Sequence, residues 1–170
     1  MSSDRVSNLT RRALPSLHLP STAGDSIGMS SLGTPLAVLY LYPMTGRPGV
    51  PMPDGWDLIP GALGCSAEAC SFRDRYAELR AFGVDLYGLS SQSSEYQREA
   101  VDRLRLPFPL LSDKTLALAD ALSLPTFTAG GMRLFERLTM LISAGRIERV
   151  FHPVPSPADH ADEVLAWVQR

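Results

Sequence analysis

The order of elements in this chain predicts an α/β protein, a mixed central sheet flanked by helices. Three observations carry this reading. Residues 36–42 (LAVLYLY) form an unbroken apolar run between Pro35 and Pro43, the pattern of a central strand buried on both faces. From Cys65 to about residue 80 the apolar positions Cys65, Ala69, Phe72, Tyr76 and Leu79 recur at spacings of four and three, one face of an amphipathic helix. Strand and helix patterns then continue to the C-terminus in the order β–α–β–α–(α)–β–β–α, which belongs to a layered α/β architecture.

Residues 1–13 are polar and are expected to fray, leaving residues 14–170 as a single domain. Residues 14–32 read as short extended pieces around an Ala23-Gly24-Asp25 turn. After the first long strand, residues 44–63 hold four prolines and four glycines, so they form a long loop and neither a helix nor an inner strand. Beyond the Cys65 helix, Val84–Ser90 (VDLYGLS) reads as a strand. Residues 94–105 read as a helix capped by Ser93 or Ser94. Leu110 and Leu111 are a short apolar piece, and residues 115–122 a short helix. Leu138–Ser143 and residues 147–151 flank Ala144-Gly145 as a hairpin. Ser156-Pro157 opens a last helix that turns Ala161, Val164, Leu165 and Val168 inward.

Composition excludes several functions. A net charge of −2 and a pI near 5.9 offer no basic field for nucleic acid or anionic lipid. The first twenty residues carry charge without an apolar core, so no signal peptide is expected. No window reaches the roughly 18 apolar residues of a membrane span. Two cysteines in such a chain point to a reducing cytoplasm, where disulfides are transient and catalytic. The three histidines, His18, His152 and His160, stand at no ligand spacing from the cysteines, so a zinc site is not expected. No apolar stripe reads as a subunit interface, and a monomer is the expectation.

The cysteines themselves carry the strongest signal. Cys65 and Cys70 lie five positions apart in GCSAEACSFRD, residues 64–74. On an intact helix their Cα atoms stand about 8.7 Å apart and about 140° around the axis. A disulfide needs them within roughly 7 Å, so the pair bonds only if the first helical turns open. A bond that needs unwinding suits a catalytic cycle better than a permanent staple. Cys65 falls on the buried face of this helix, and Cys70 lies round toward Arg73, Asp74 and Ala77.

The same run resembles the active-site segment of Q-type peroxiredoxins, the bacterioferritin comigratory proteins of the AhpC/TSA superfamily, which typically read T-P-G-C-T-x-E-A-C-x-F-R-D. Further stretches agree: LYLYP ahead of the site, LPFPLLSD at residues 106–113, and RLTMLISAGRI at residues 137–147. The resemblance runs from about Leu14 nearly to the end of the chain. It implies a thioredoxin-like fold and a thiol-dependent peroxidase acting on hydrogen peroxide or organic hydroperoxides. It implies Cys65 as the peroxidatic nucleophile, Cys70 as the resolving cysteine, a thioredoxin-like or other dithiol as reductant, and no metal or organic cofactor. The residues fit that chemistry. A thiol must ionise to attack an O–O bond, and a helix N-terminus and a nearby cation both favour the thiolate. The resemblance supplies Arg137 as the cation; alone, Arg137 reads as a surface arginine at a strand end.

One departure stands out. The family pattern P-x-x-x-T-x-x-C sets a proline seven residues before the cysteine and a threonine three before it. Here Pro43 is the match at the strand end, yet it lies 22 residues before Cys65, an excess of fifteen, and Ala62 occupies the threonine position. Thr45 is the expected substitute hydroxyl, with Ser66 the other one nearby. The added residues read equally as a tolerated surface loop or, given Trp56, Leu58 and Ile59, as a lid beside the Cys65 pocket. Glu68 matches the family's Glu and reads as a first-turn acid complementing the helix dipole. Arg73 with Asp74 reads as an ion pair or solvated face, and His152 as a surface or capping residue. Two rivals share the fold: a thiol–disulfide oxidoreductase, which would normally show C-x-x-C, and a redox sensor using the pair as a switch.

Overall fold

The computed structural model describes residues 6–170. The apolar run becomes β3 (Leu36–Leu41), the middle strand of a five-stranded sheet; β1 (His18–Pro20) and β2 (Ser26–Gly28) pair before it as a small hairpin. In the sheet β3 pairs in parallel with β4 (Val84–Ser90), which pairs in parallel with β5 (Leu110–Ser112). On its other side β3 pairs antiparallel with β8 (Leu138–Ser143), which pairs with β9 (Arg146–Phe151). The sheet order is β5-β4-β3-β8-β9, so it is mixed, as the element order predicts.

Alternation along β3 divides the core. Ala37, Leu39 and Leu41 face one side, packing with Met29, Leu111, Leu118, Phe135 and Met140. Val38, Tyr40 and Tyr42 face the other, packing with Cys65, Phe72, Phe108, Phe151 and Val164. The second side is covered by α1 (Cys65–Ala81) and by α4 (His160–Val168), which follows a 3-10 turn at Pro157–Asp159. Gly88 on β4 is required by this packing. A Cβ there would lie 2.7 Å from Tyr40 Cζ, and Tyr40 in turn stacks on Phe72 of α1 at 4.7 Å.

Helix α2 (Ser94–Leu104) starts at Ser93, whose hydroxyl accepts the Tyr96 N–H at 3.2 Å. Helix α3 (Ala117–Leu122) begins two residues later than expected, because both Asp113 carboxylate oxygens accept N–H groups, from Ala117 and Leu118 at 2.9 Å.

Two expectations are corrected. Residues 1–5 of the segment expected to fray lie outside the described residues, but residues 6–13, largely exposed, are anchored to the domain at Leu9 and by backbone hydrogen bonds. Leu9 is fully buried, the Arg11 N–H donates to Ile147 O at 2.7 Å, and Ile147 N–H donates to Arg12 O. A second hairpin, β6 (Thr126–Ala129) with β7 (Met132–Phe135), turns at Gly130-Gly131, in a stretch for which the sequence pattern predicts no strand. Both glycines have positive φ, the backbone a two-residue hairpin turn demands.

The Pro/Gly-rich excursion is a loop with one 3-10 turn, Trp56–Leu58. It is not loose. Trp56 packs with Ala62, Ala129 and Leu134 as a small core of its own against the β6–β7 hairpin, with the Phe127 ring 6.0 Å from Trp56. Helix α2 ties down its first part: Arg103 donates to Gly46 O at 2.8 Å, and the Arg47 guanidinium lies 4.1 Å over the Tyr96 ring.

Candidate functional site

Gly64 turns the chain into α1 with φ of 104°, a left-handed conformation that favours glycine. A Cβ there would also meet Pro157 Cγ at 2.9 Å. No side chain caps α1, so its first N–H groups are left open around Cys65, which is buried at the first helical position. The excursion brings its two ends together here: Met44 and Ala62 share a cavity with Cys65, the thiol donates to Ala62 O at 3.8 Å, and the Met44 backbone, 21 positions away in sequence, favours the thiolate. Sequence reasoning missed Met44, since a backbone donor leaves no side-chain signature.

Arg137, immediately before β8, runs into the core and is 4% exposed. Its Nη2 stands 3.1 Å from Cys65 Sγ and also donates to the Ala62 and Leu63 carbonyls at 3.1 and 3.0 Å. Nε donates to Gly61 O at 3.3 Å, and Nη1 donates to Glu68 Oε1 at 2.8 Å. The end of the excursion therefore folds around the guanidinium, and the rigid fork of donors fits several acceptors at once. Arg137 is not the surface arginine its strand-end position alone would predict.

Glu68 is likewise more than a first-turn acid. It is fully buried and forms a buried ion pair with Arg137. Burial pushes its carboxyl up to about 7, against the downward pull of Arg137. Burial also raises the Cys65 thiol; Arg137 and the Met44 N–H lower it, and Glu68 raises it. The sign of the Glu68 effect is then fixed. Below about pH 7 Glu68 takes up a proton and Cys65 faces Arg137 alone; above it, the carboxylate competes for the same cation. Glu68→Gln keeps an acceptor for Nη1 and removes the charge. The expected result is a lower midpoint for Cys65 in the pH dependence of alkylation by iodoacetamide; a midpoint unchanged or higher would refute this electrostatic coupling.

The other sequence-predicted residues fall as follows. Cys70 is half-buried on α1 and unbonded. Pro43 is buried at the end of β3 and carries Met44 to the sulfur. Thr45 is buried, but its hydroxyl donates to Gln92 Oε1 at 3.3 Å, its N–H donates to the same atom at 3.1 Å, and Gln92 Nε2 donates back to Thr45 O at 3.0 Å. The proton expected for a peroxide is committed to Gln92. Ser66 does line the cavity at Cys65, a space of about 200 Å³ walled by Met44, Met52, Trp56, Ala62 and Leu63. All five of those walls come from the excursion. A second cavity of about 500 Å³ adjoins across Met44, lined by Tyr96, Leu116, Met132 and Leu134 with Lys114 and Arg133. His152 approaches Glu136 at 3.7 Å, and Arg73 pairs with Asp74 at 3.0 Å.

A buried thiol at an open helix end, touched by a captive guanidinium on a thioredoxin-like sheet, defines the class: thiol-dependent peroxidases. Residues 59–149, more than half of the chain, match the AhpC/TSA family model. The chain belongs to that family, in its Q-type peroxiredoxin group. It is similar to Peroxiredoxin Bcp of Escherichia coli K12, 27% identical over 160 residues and 92% of each chain. It is also similar to the chloroplastic Peroxiredoxin Q of Sedum lineare, 27% identical over 91% of this chain and 75% of that one. Among solved structures, Peroxidoxin BcpB from Mycobacterium tuberculosis superposes with a TM-score of 0.74 at 26% identity, covering 94% of this chain and 96% of that one. The Xanthomonas campestris bacterioferritin comigratory protein, described for its alkyl peroxide reduction activity, gives 0.73 at 25% identity, covering 93% and 98%. Among the described residues no helix is long and apolar enough to cross a membrane.

Proposed function

We propose that this peroxiredoxin acts preferentially on organic hydroperoxides, with Cys65 as nucleophile, Cys70 as resolving thiol and Arg137 as electrostatic activator. The observation that carries the assignment of roles is the 3.1 Å contact of Arg137 Nη2 with Cys65 Sγ. The Cys65 thiolate attacks the terminal peroxide oxygen, the O–O bond breaks, and the alkoxide leaves and takes up a proton to become an alcohol. Arg137, the Met44 N–H and the open N–H groups of α1 face the oxygen on which negative charge develops. Cys65 is left as a sulfenic acid. Cys70 attacks that sulfur, the S–O bond breaks, water leaves, and a disulfide forms. A thioredoxin-like dithiol then reduces it by exchange. Pro43 serves as the support of Met44, and Thr45 as its anchor through Gln92.

The preference for organic peroxides rests on the walls. The Cys65 cavity is bounded by two thioethers and an indole, with Ala62 where the family's hydroxyl donor would stand. Apolar walls reward an alkyl or aryl group, by about 1–3 kcal/mol for small groups. Such a group extends over Met44 into the neighbouring cavity. The expected result is a kcat/KM at least about tenfold higher for cumene hydroperoxide than for hydrogen peroxide. Trp56→Ala should narrow that ratio. Equal rates on both peroxides in the unaltered protein would contradict the preference.

A further inference from the structure

The excursion takes a hydroxyl away from the site and brings an indole to it. Ala62 stands where the family's threonine would be, and the Thr45 hydroxyl is committed to Gln92. Among the described residues that line the Cys65 cavity, Trp56 and Ser66 carry the side-chain N–H and O–H donors. Trp56 is 5% exposed, and it packs with Ala62, Ala129, Leu134 and Phe127, whose side chains hold no acceptor. No acceptor among the described residues takes its Nε1–H. Yet Nε1 is not sealed in, as the unpartnered Tyr40 Oη and Glu68 Oε2 are. It therefore opens onto accessible space, and the cavity that Trp56 lines is the one at Cys65. A buried indole nitrogen normally has a partner; here the partner comes from what enters the cavity. Ser66 differs. It is half-buried at the second position of α1, and its hydroxyl turns freely to reach water.

We propose that Trp56 is a catalytic residue whose indole N–H donates to the leaving oxygen of the peroxide, in place of the hydroxyl this chain lacks. The proposal rests on Cys65 as the peroxidatic nucleophile. An indole nitrogen donates and cannot accept, so it favours the oxygen that gains negative charge. When the Cys65 thiolate attacks, the O–O bonding pair goes to the leaving oxygen. Trp56 gives that alkoxide, or the hydroxide from hydrogen peroxide, a hydrogen bond and keeps its own proton. The leaving group then takes a proton from water and departs as alcohol or water. Packing against the β6–β7 hairpin fixes the indole before the peroxide arrives, and a donor fixed in advance is an effective one. One inserted side chain thus supplies an apolar wall through its ring and a donor through its N–H.

Trp56→Phe keeps an aromatic wall and deletes the N–H. The second-order rate of Cys65 oxidation, measured as loss of free thiol in quenched samples, should fall about ten- to a hundredfold, the scale of one hydrogen bond to a charged oxygen. The loss should be alike for cumene hydroperoxide and hydrogen peroxide, because the wall remains. Alkylation of Cys65 by iodoacetamide separates a lost donor from a distorted site. Its leaving iodide needs no such donor, and the ionisation of the thiol is set by burial, Arg137, Glu68 and Met44. Rate and midpoint of alkylation should therefore be unchanged. An unchanged peroxide rate, an equal loss in alkylation, or a loss of that size in Ser66→Ala with none in Trp56→Phe would overturn the proposal. A second measurement needs no Phe variant. In Cys65→Ser, which cannot consume peroxide, the indole N–H signals of the two tryptophans are told apart by Trp167→Phe. Adding tert-butyl hydroperoxide should move the Trp56 signal downfield and leave that of Trp167 in place; a Trp56 signal that stays put overturns the donor. If the unaltered protein consumes neither peroxide, the peroxidase reading fails first, a result distinct from turnover that ignores Trp56→Phe.

Discussion

Cys65→Ser should reduce peroxide consumption to the background rate, a loss on the order of 10⁴-fold or more, as expected when a nucleophile is removed. A hydroxyl in that buried position has no route to ionisation near neutral pH, and the O–O bond is broken only by a strong, soft nucleophile. The fold should survive, because the Cys65 side chain adds little to the packing of Tyr40, Phe72 and Phe151. Removing the sulfur leaves Arg137 with its carbonyl partners and Glu68. A normal melting curve with no turnover is the expected pair of readings. Residual turnover within tenfold of the unaltered protein would show that another group attacks the peroxide.

Arg137→Met should cost about 10²–10³-fold in kcat/KM, the scale of one lost charge-stabilising donor. Two changes act together. The thiol loses the cation that lowers it, so its midpoint in alkylation moves up. The departing alkoxide loses a donor aimed at its charge. Stability should fall too, because one partner of a buried ion pair is removed, at about 3–5 kcal/mol when the other stays charged. Glu68 has a pKa raised to about 7 in the folded protein, and it should rise further without Arg137. A raised carboxylate adds stability that is fully present at low pH and lost as pH rises through the folded value. The gap in melting temperature between variant and unaltered protein should therefore be wider at pH 8 than at pH 5. A gap that widens toward acid would refute this account of the Arg137–Glu68 pair.

Much of the fold was legible because it obeys local rules. Residues 36–42 are apolar throughout because β3 is covered on both faces, and Val84–Ser90 matched its strand end to end. The Cys65 helix showed its period because Ala69, Phe72 and Leu79 pack on one core. The β6–β7 hairpin escaped because its strands are half exposed and short, and only Gly130-Gly131 marked it. The polar composition of residues 6–13 hides an anchor, because one buried leucine and a few backbone hydrogen bonds tie the segment to the domain.

At the site, the two cysteines and Arg137 were legible through family resemblance, and the rest depended on distant contacts. A first-turn glutamate looks the same whether it faces water or an arginine 69 positions away; only the fold decides, and here Glu68 faces Arg137. Thr45 offers the expected hydroxyl in sequence, yet its hydroxyl donates to Gln92, 47 positions on. Met44 acts through its backbone, which no residue pattern encodes. The added residues before Cys65 could be counted from the sequence. That Met52, Trp56 and Leu63 line the thiol's cavity could not.

The central claim is that Cys65 receives the peroxide oxygen and Cys70, freed by unwinding of α1, removes it. One measurement addresses it directly: react the reduced protein and its Cys70→Ser variant with a single equivalent of peroxide, then determine mass and free thiols. The unaltered protein should lose both thiols and two hydrogens, the signature of the Cys65–Cys70 disulfide. The variant should gain one oxygen, held at Cys65 as a sulfenic acid that dimedone traps. Oxygen found on Cys70, or two free thiols surviving in the unaltered protein after the peroxide is consumed, would contradict the account.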